Sequence, residues 1–143
     1  MPERIQLRRT KGWRMPSGTI KVDRATVFGN PWIPGAPGRV RLPFVDSGGV
    51  LRELTRGLDA GLTTAEAVST FRIWLNDASL GALPGIARDA RDGKVTPPVA
   101  EGFARMRRRI LDGLPDLRGH DLACWCPPGR VCHADTLLEL ANA

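Results

Sequence analysis

All three cysteines of the chain and one of its two histidines fall in one ten-residue window: Cys124-Trp125-Cys126, a Pro127-Pro128-Gly129 turn, then Cys132-His133. Thiols and imidazoles act as nucleophiles, metal ligands or redox groups near neutral pH. Three chemistries fit this window. The first is a thiol site, with Cys126 or Cys132 as nucleophile and His133 moving the proton. The second is a zinc site drawing on Cys124, Cys126, Cys132 and His133, since Cys₃His is an accepted ligand set. The third is structural: small apolar cysteines in a core strand, with His133 capping a helix or bonding the backbone. Against zinc stand the unusual spacing and the adjacency of Cys132 and His133. If both are helical, their side chains diverge by about 100° around the axis. The expectation is therefore no metal, with Cys126, Cys132 and His133 as catalytic residues and the cofactor left unknown. His120 has no partner type nearby in sequence and reads as structural.

These residues need a strand and a helix to hold them. Asp121-Leu122-Ala123-Cys124-Trp125-Cys126 is a compact apolar run that fits a buried strand, and Cys132 to Ala141 reads as a helix packed through Leu137, Leu138 and Leu140. Ligands in α/β domains bind beyond the carboxyl ends of strands, where the next helix begins. That helix end stabilises a thiolate or a phosphate through its free N–H groups, which favours Cys132 over Cys124 as the reactive thiol. Earlier in the chain, Ile5 to Leu7 and Thr19-Ile20-Lys21-Val22 alternate as short strands. Ile33 to Gly49 is rich in glycine and proline and reads as a loop. Helical periodicity starts around Val50-Leu51 and is clearer after Thr63-Thr64, where Glu66 supplies a first-turn carboxylate and Ala67, Phe71, Trp74 and Leu75 form an apolar face. A second helix spans Val99 to Leu111, with Phe103, Met106 and Ile110 inward and Arg105, Arg107, Arg108 and Arg109 mostly outward. Pro84-Gly85 and Pro97-Pro98 bracket a charged linker. The fold expected is one α/β domain over residues 1–143, a small Rossmann-like sheet with flanking helices.

A second group of residues could hold a substrate. Arg8, Arg9 and Lys11 sit beside Trp13, and Arg24 precedes Phe28-Gly29-Asn30-Pro31-Trp32. Guanidinium groups bind phosphate and large rings stack on bases. An Asn held extended before a proline can present its amide to a polar edge. Trp13 and Trp32 also fit a core or lid role, and Asn30 a simple turn. The net charge of +6, with 18 Arg against 3 Lys, suits a nucleotide, another phosphate-bearing small molecule or a nucleic acid. GC-rich coding accounts for such an arginine excess equally well. At 143 residues, with 42% apolar and 25% charged, the composition is that of an ordinary globular domain. No apolar run approaches the ~20 residues of a membrane span, and Met1-Pro2-Glu3-Arg4 does not open a secretory signal. A cytoplasmic protein with reduced thiols is the expectation.

The segments Arg4-Ile5-Gln6-Leu7, Gly12-Trp13-Arg14, Val22-Asp23-Arg24, Gly29-Asn30-Pro31, Phe71-Arg72-Ile73-Trp74-Leu75, Leu122 to Pro127 and Cys132-His133-Ala134-Asp135 together resemble domain of unknown function 4326, a family of bacteria and their phages. The last motif is also similar to domain of unknown function 488, where a strand cysteine is followed by a Cys-His-Arg helix start. Here Ala134 replaces that arginine, and Arg130 is the candidate to bind an anion in its stead. The resemblance implies where a site lies and no reaction. The residues themselves point to a small thiol-dependent transferase or hydrolase acting on a nucleotide, nucleoside or nucleic-acid-derived substrate. The alternative is a non-catalytic nucleic-acid-binding module with a zinc-binding or structural cysteine cluster.

Overall fold

The computed structural model describes residues 1–35, 38–45, 47–58, 61–76 and 97–143. It is a mixed helix and strand structure whose chain divides into two units, Met1–Asn30 with Met106–Ala143, and Pro31–Arg105.

The first unit carries a three-stranded parallel sheet in the order β1-β5-β2, formed by β1 (Arg4–Gln6), β5 (Leu122–Cys124) and β2 (Ile20–Lys21). Central β5 pairs Leu122 with both Arg4 and Ile20, and Cys124 with Gln6. Bonds from Leu7 N–H to the Cys124 carbonyl (2.8 Å) and from Val22 N–H to the Ala123 carbonyl (2.9 Å) extend the pairing at the carboxyl ends. All three residues of β5 are buried, as a strand covered on both faces requires. Helix α3 (His133–Ala141) packs on β5 and β1 and buries Ala134, Thr136, Leu137 and Ala141.

The second unit contains an antiparallel hairpin, β3 (Gly38–Val45) and β4 (Leu51–Leu58), paired from Gly38↔Leu58 to Val45↔Leu51. This overturns two expectations, a loop from Ile33 to Gly49 and helical character from Val50. The alternation Val40, Leu42, Phe44 is a strand signal hidden by flanking glycines and prolines. Pro43 is tolerated because each strand of a two-stranded ribbon has one edge needing no N–H. Leu51, Leu54 and Leu58 recur at a spacing that also fits a helix, and cross-strand pairing decides between the two. Gly49 has φ 78°, the left-handed conformation the hairpin connection needs.

Helix α1 (Thr64–Asn76) begins with a reciprocal cap: Glu66 N–H donates to Thr63 Oγ1 at 3.1 Å, and Thr63 N–H to Glu66 Oε1 at 3.0 Å. Ala67, Thr70, Phe71, Trp74 and Leu75 are buried, the apolar face expected with Thr70 added. Trp32, Trp74 and Phe103 pack ring on ring at 5.1–5.9 Å between centroids. Helix α2 (Pro97–Leu117) is longer than expected at both ends and runs through Pro115. Phe103 and Ile110 are buried as expected, but Met106 is exposed. Gly113 lets the Phe28 ring lie against α2, where an added Cβ would fall 2.7 Å from its tip. Most of the expected linker lies outside the described residues, and Pro97-Pro98 opens α2 instead of closing that linker. Among the described residues, no helix is long and apolar enough to cross a membrane.

Candidate functional site

β5 ends at Cys124, the chain turns through Trp125 to Gly129, and α3 starts at His133. Gly129 has φ 80°, and Arg130 N–H returns to the Pro127 carbonyl at 3.2 Å. Cys132 is not helical: it is the residue before the helix, with extended backbone at φ −149° and ψ 146°. The geometric reason for expecting no zinc therefore fails. The 100° divergence assumes two helical neighbours, and here only His133 is one.

The consequence is a tight cluster. Cys124 Sγ lies 4.0 Å and Cys132 Sγ 3.7 Å from His133 Nδ1, and Cys124 Sγ lies 3.9 Å from Cys126 Sγ. The potential ligand atoms of Cys124, Cys132 and His133 are all within 4.8 Å of one another, and the three residues are buried. The cysteines are free thiols, with Cys126 alone partly accessible. On its far side, His133 Nε2 is 2.6 Å from the Val22 carbonyl. A carbonyl only accepts, so Nε2 carries the proton and donates. In the neutral ring, Nδ1 then presents a lone pair to the sulfurs.

The thiols differ in acidity. Cys124 is pushed up to about 11, first by the hydrogen bond it donates to Cys132 and then by burial, against His133 and the Cys126 N–H. Cys132 is held below the ordinary thiol value, chiefly by that same bond from Cys124. Burial opposes the shift, and the Ala134 N–H at the helix start assists it. Burial raises Cys126, with Cys132 and then Arg4 acting in the opposite direction.

Two guanidinium groups border the cluster. Partial desolvation lowers the Arg24 pKa, and Cys124, Cys126 and Cys132 act against that as negative neighbours. Arg24 Nη1 donates to the Asn30 carbonyl. Gly29 permits the close turn: a Cβ there would meet Arg24 Cα at 2.7 Å. Asn30 is 4% exposed, and its backbone carbonyl accepts the Arg24 bond. Arg4, from β1, spans the loop. It donates to the Arg130 carbonyl at 2.7 Å and pairs with Asp135 at 3.3 Å, while its Nη1 is buried without a hydrogen bond among the described residues.

Trp125, between the two strand-end cysteines, is exposed at 42%. Its indole N–H donates to buried Asp23 Oδ2 at 2.9 Å, and Arg9 Cζ sits 5.0 Å from the ring centroid. Asp23 also meets Lys21 at 3.7 Å. Of the residues expected to form the site, Arg9, Arg24, Cys126, Cys132 and His133 come together, and Asn30 joins through its backbone. Arg8, Lys11 and Arg130 are exposed and Trp13 is half-buried. No contact among the described residues ties the side chains of Arg8, Lys11, Trp13 or Arg130 to the cluster. Trp32 is fully buried and presents no ring to a ligand. Sequence reasoning missed Arg4, Asp23 and Trp125. The position of Trp125 inside the cysteine motif was the available signal for it.

A family model, Domain of unknown function (DUF4326), matches residues 5–143. The chain belongs to this family. The match covers the β1 residues from Ile5 onward, Arg24, β5 and the Cys-His helix start. No curated protein and no solved structure matches the chain.

Proposed function

We propose that this DUF4326 protein is a small enzyme acting on a phosphate-bearing nucleotide, nucleoside or nucleic-acid-derived substrate beside the Cys–His cluster. The observation that carries the reading is the exposed Trp125 ring, fixed at its edge by Asp23 and with Arg9 over one face, beside the partly accessible thiol of Cys126. A pinned indole is a stacking surface for a base, and Arg9 and Arg24 supply charge for phosphate. Cys126 is the thiol a substrate can reach, which favours it over buried Cys132 as the reacting group in a transfer or hydrolysis. We read the parallel sheet as a reduced Rossmann-like one, because the cluster lies at the carboxyl end of its central strand.

The test is equilibrium binding of a panel of nucleotides, nucleosides and sugar phosphates to the wild-type protein and to Trp125→Ala. A ligand whose affinity falls about tenfold or more in the variant, in line with the 1–3 kcal/mol of a base stacked on an aromatic ring, supports the reading. A panel with no ligand, or with ligands indifferent to Trp125, overturns it. Burial of Cys124 and Cys132 favours a second reading, a non-catalytic nucleic-acid-binding module in which the cluster is structural. It predicts single-strand binding that weakens steeply with salt and no turnover of any panel member.

A further inference from the structure

We infer that Cys124, Cys132, His133 and Cys126 form a tetrahedral Zn²⁺ site, with Cys126 as its solvent-facing, exchangeable ligand. Zinc–sulfur bonds of about 2.3 Å and zinc–nitrogen bonds of about 2.0–2.1 Å require sulfur–sulfur edges of roughly 3.8 Å and sulfur–nitrogen edges of roughly 3.6 Å. The cluster shows 3.9 Å for Cys124–Cys126, 4.0 Å for Cys124–His133 and 3.7 Å for Cys132–His133. Shifts of a few tenths of an ångström would complete three edges of the polyhedron. Cys126 reaches this set through its 3.9 Å contact with Cys124 and stands outside the tight group of Cys124, Cys132 and His133, so it is the most loosely held of the four.

The surroundings are those of a metal ligand set. His133 must direct Nδ1 at the sulfurs because Nε2–H is committed to the Val22 carbonyl at 2.6 Å, the outer contact that fixes ring orientation in histidine–zinc sites. Cys132 immediately precedes α3, whose N-terminal N–H groups stabilise thiolate charge there. Three thiolates and a neutral imidazole around Zn²⁺ carry a net charge of −1. Arg24, whose cationic form all three cysteines favour, balances it.

Three buried ligands and one partly accessible ligand give the ion a dual character. Cys124, Cys132 and His133 hold it, and Cys126 can be displaced by a substrate or water at the open side, as the fourth position is in catalytic zinc sites. The inference leaves the proposed substrate class untouched but gives Cys126 the role of a metal ligand in place of a free reacting thiol.

Cobalt(II) substitution under reducing conditions tests it. Wild-type protein is expected to take up one Co²⁺ per chain, with the visible bands of a tetrahedral ion and strong thiolate-to-metal charge transfer. Cys126→Ser should keep the ion and lose about a third of that charge-transfer intensity, one thiolate of the three. Cys132→Ser should lose tight binding. Circular dichroism of each variant separates ligand loss from unfolding, and Cys126→Ser, altering only the partly exposed ligand, keeps the test decisive if Cys132→Ser fails to fold. Octahedral cobalt spectra, wild-type charge transfer unchanged in Cys126→Ser, or no uptake by folded wild-type protein would each overturn the assignment. None of these readouts depends on finding a substrate, so failure here is distinct from failure of the nucleotide panel.

Discussion

The two units of this chain fill their interiors differently. Residues 31–105 bury Trp32, Phe71 and Trp74 almost completely, with Phe103 against the two tryptophans. Residues 1–30 with 106–143 bury Asp23, Asn30, His133, Thr136 and two thiols alongside Val22, Leu122 and Leu137. Aromatic packing needs no further explanation than the removal of apolar surface from water. Buried polar groups cost free energy unless they are satisfied, and a fold that keeps them has a use for them. The interior of residues 31–105 is aromatic packing, and that of residues 1–30 with 106–143 holds the candidate site.

The contrast predicts that stability and chemistry separate under mutation. Trp74→Ala should lower the unfolding free energy by about 3–5 kcal/mol in denaturant titrations, while native protein keeps the wild-type thiol titration pattern. Altered thiol accessibility at native denaturant concentrations would break the division. Within the cluster, metal-stripped protein should show two separated thiol ionisations. Cys132, with its pKa lowered, contributes stability above the ordinary thiol range that is lost as pH falls through its folded value. Cys124 contributes stability below that range, lost as pH rises toward about 11. Alkylation followed by mass spectrometry should therefore label Cys132 at lower pH than Cys124, and the reverse order would contradict the hydrogen-bond direction.

Smaller effects sharpen the same comparison. Thr63→Ala removes the reciprocal cap of α1 and should cost about 1 kcal/mol with no change in ligand or metal binding. Arg9→Ala should leave unfolding within about 0.5 kcal/mol, as for an exposed surface change. It should also weaken a phosphate-bearing ligand at Trp125 by about 0.2–1 kcal/mol, the scale of one exposed charge pair. A stability loss as large as that of Thr63→Ala would place Arg9 in the scaffold.

Much of the site was legible in the sequence because its chemistry is local. Cys124 to His133 are contiguous, and an apolar strand, a Pro-Pro-Gly turn and a helix start all follow from composition. What spacing could not show is where the helix begins: one residue decides whether Cys132 and His133 diverge or converge, and helix ends are the least legible boundaries. The partners from the other end of the chain were partly legible, since Arg9 and Arg24 stand in a basic-aromatic segment. Arg4 was hidden as an ordinary strand residue, and its role depends on β1 pairing with β5, a separation of more than a hundred residues. The hairpin was not legible because Pro34, Gly35, Pro37 and Gly38 before its first alternating run, Pro43 within that run and Gly48-Gly49 after it read as loop and mask the alternation of Val40, Leu42 and Phe44. The three-leucine spacing after Val50 satisfies a helix as readily as a strand.

The central claim is that the cysteine–histidine window is built around an ion. Its most direct test is the metal content of wild-type protein purified with reductant and without added metal, measured by inductively coupled plasma mass spectrometry beside a thiol count. The account predicts one zinc per chain and thiols that become fully titratable only after chelation. Folded protein that carries no zinc, takes up none when it is offered, and titrates three free thiols at once would contradict it.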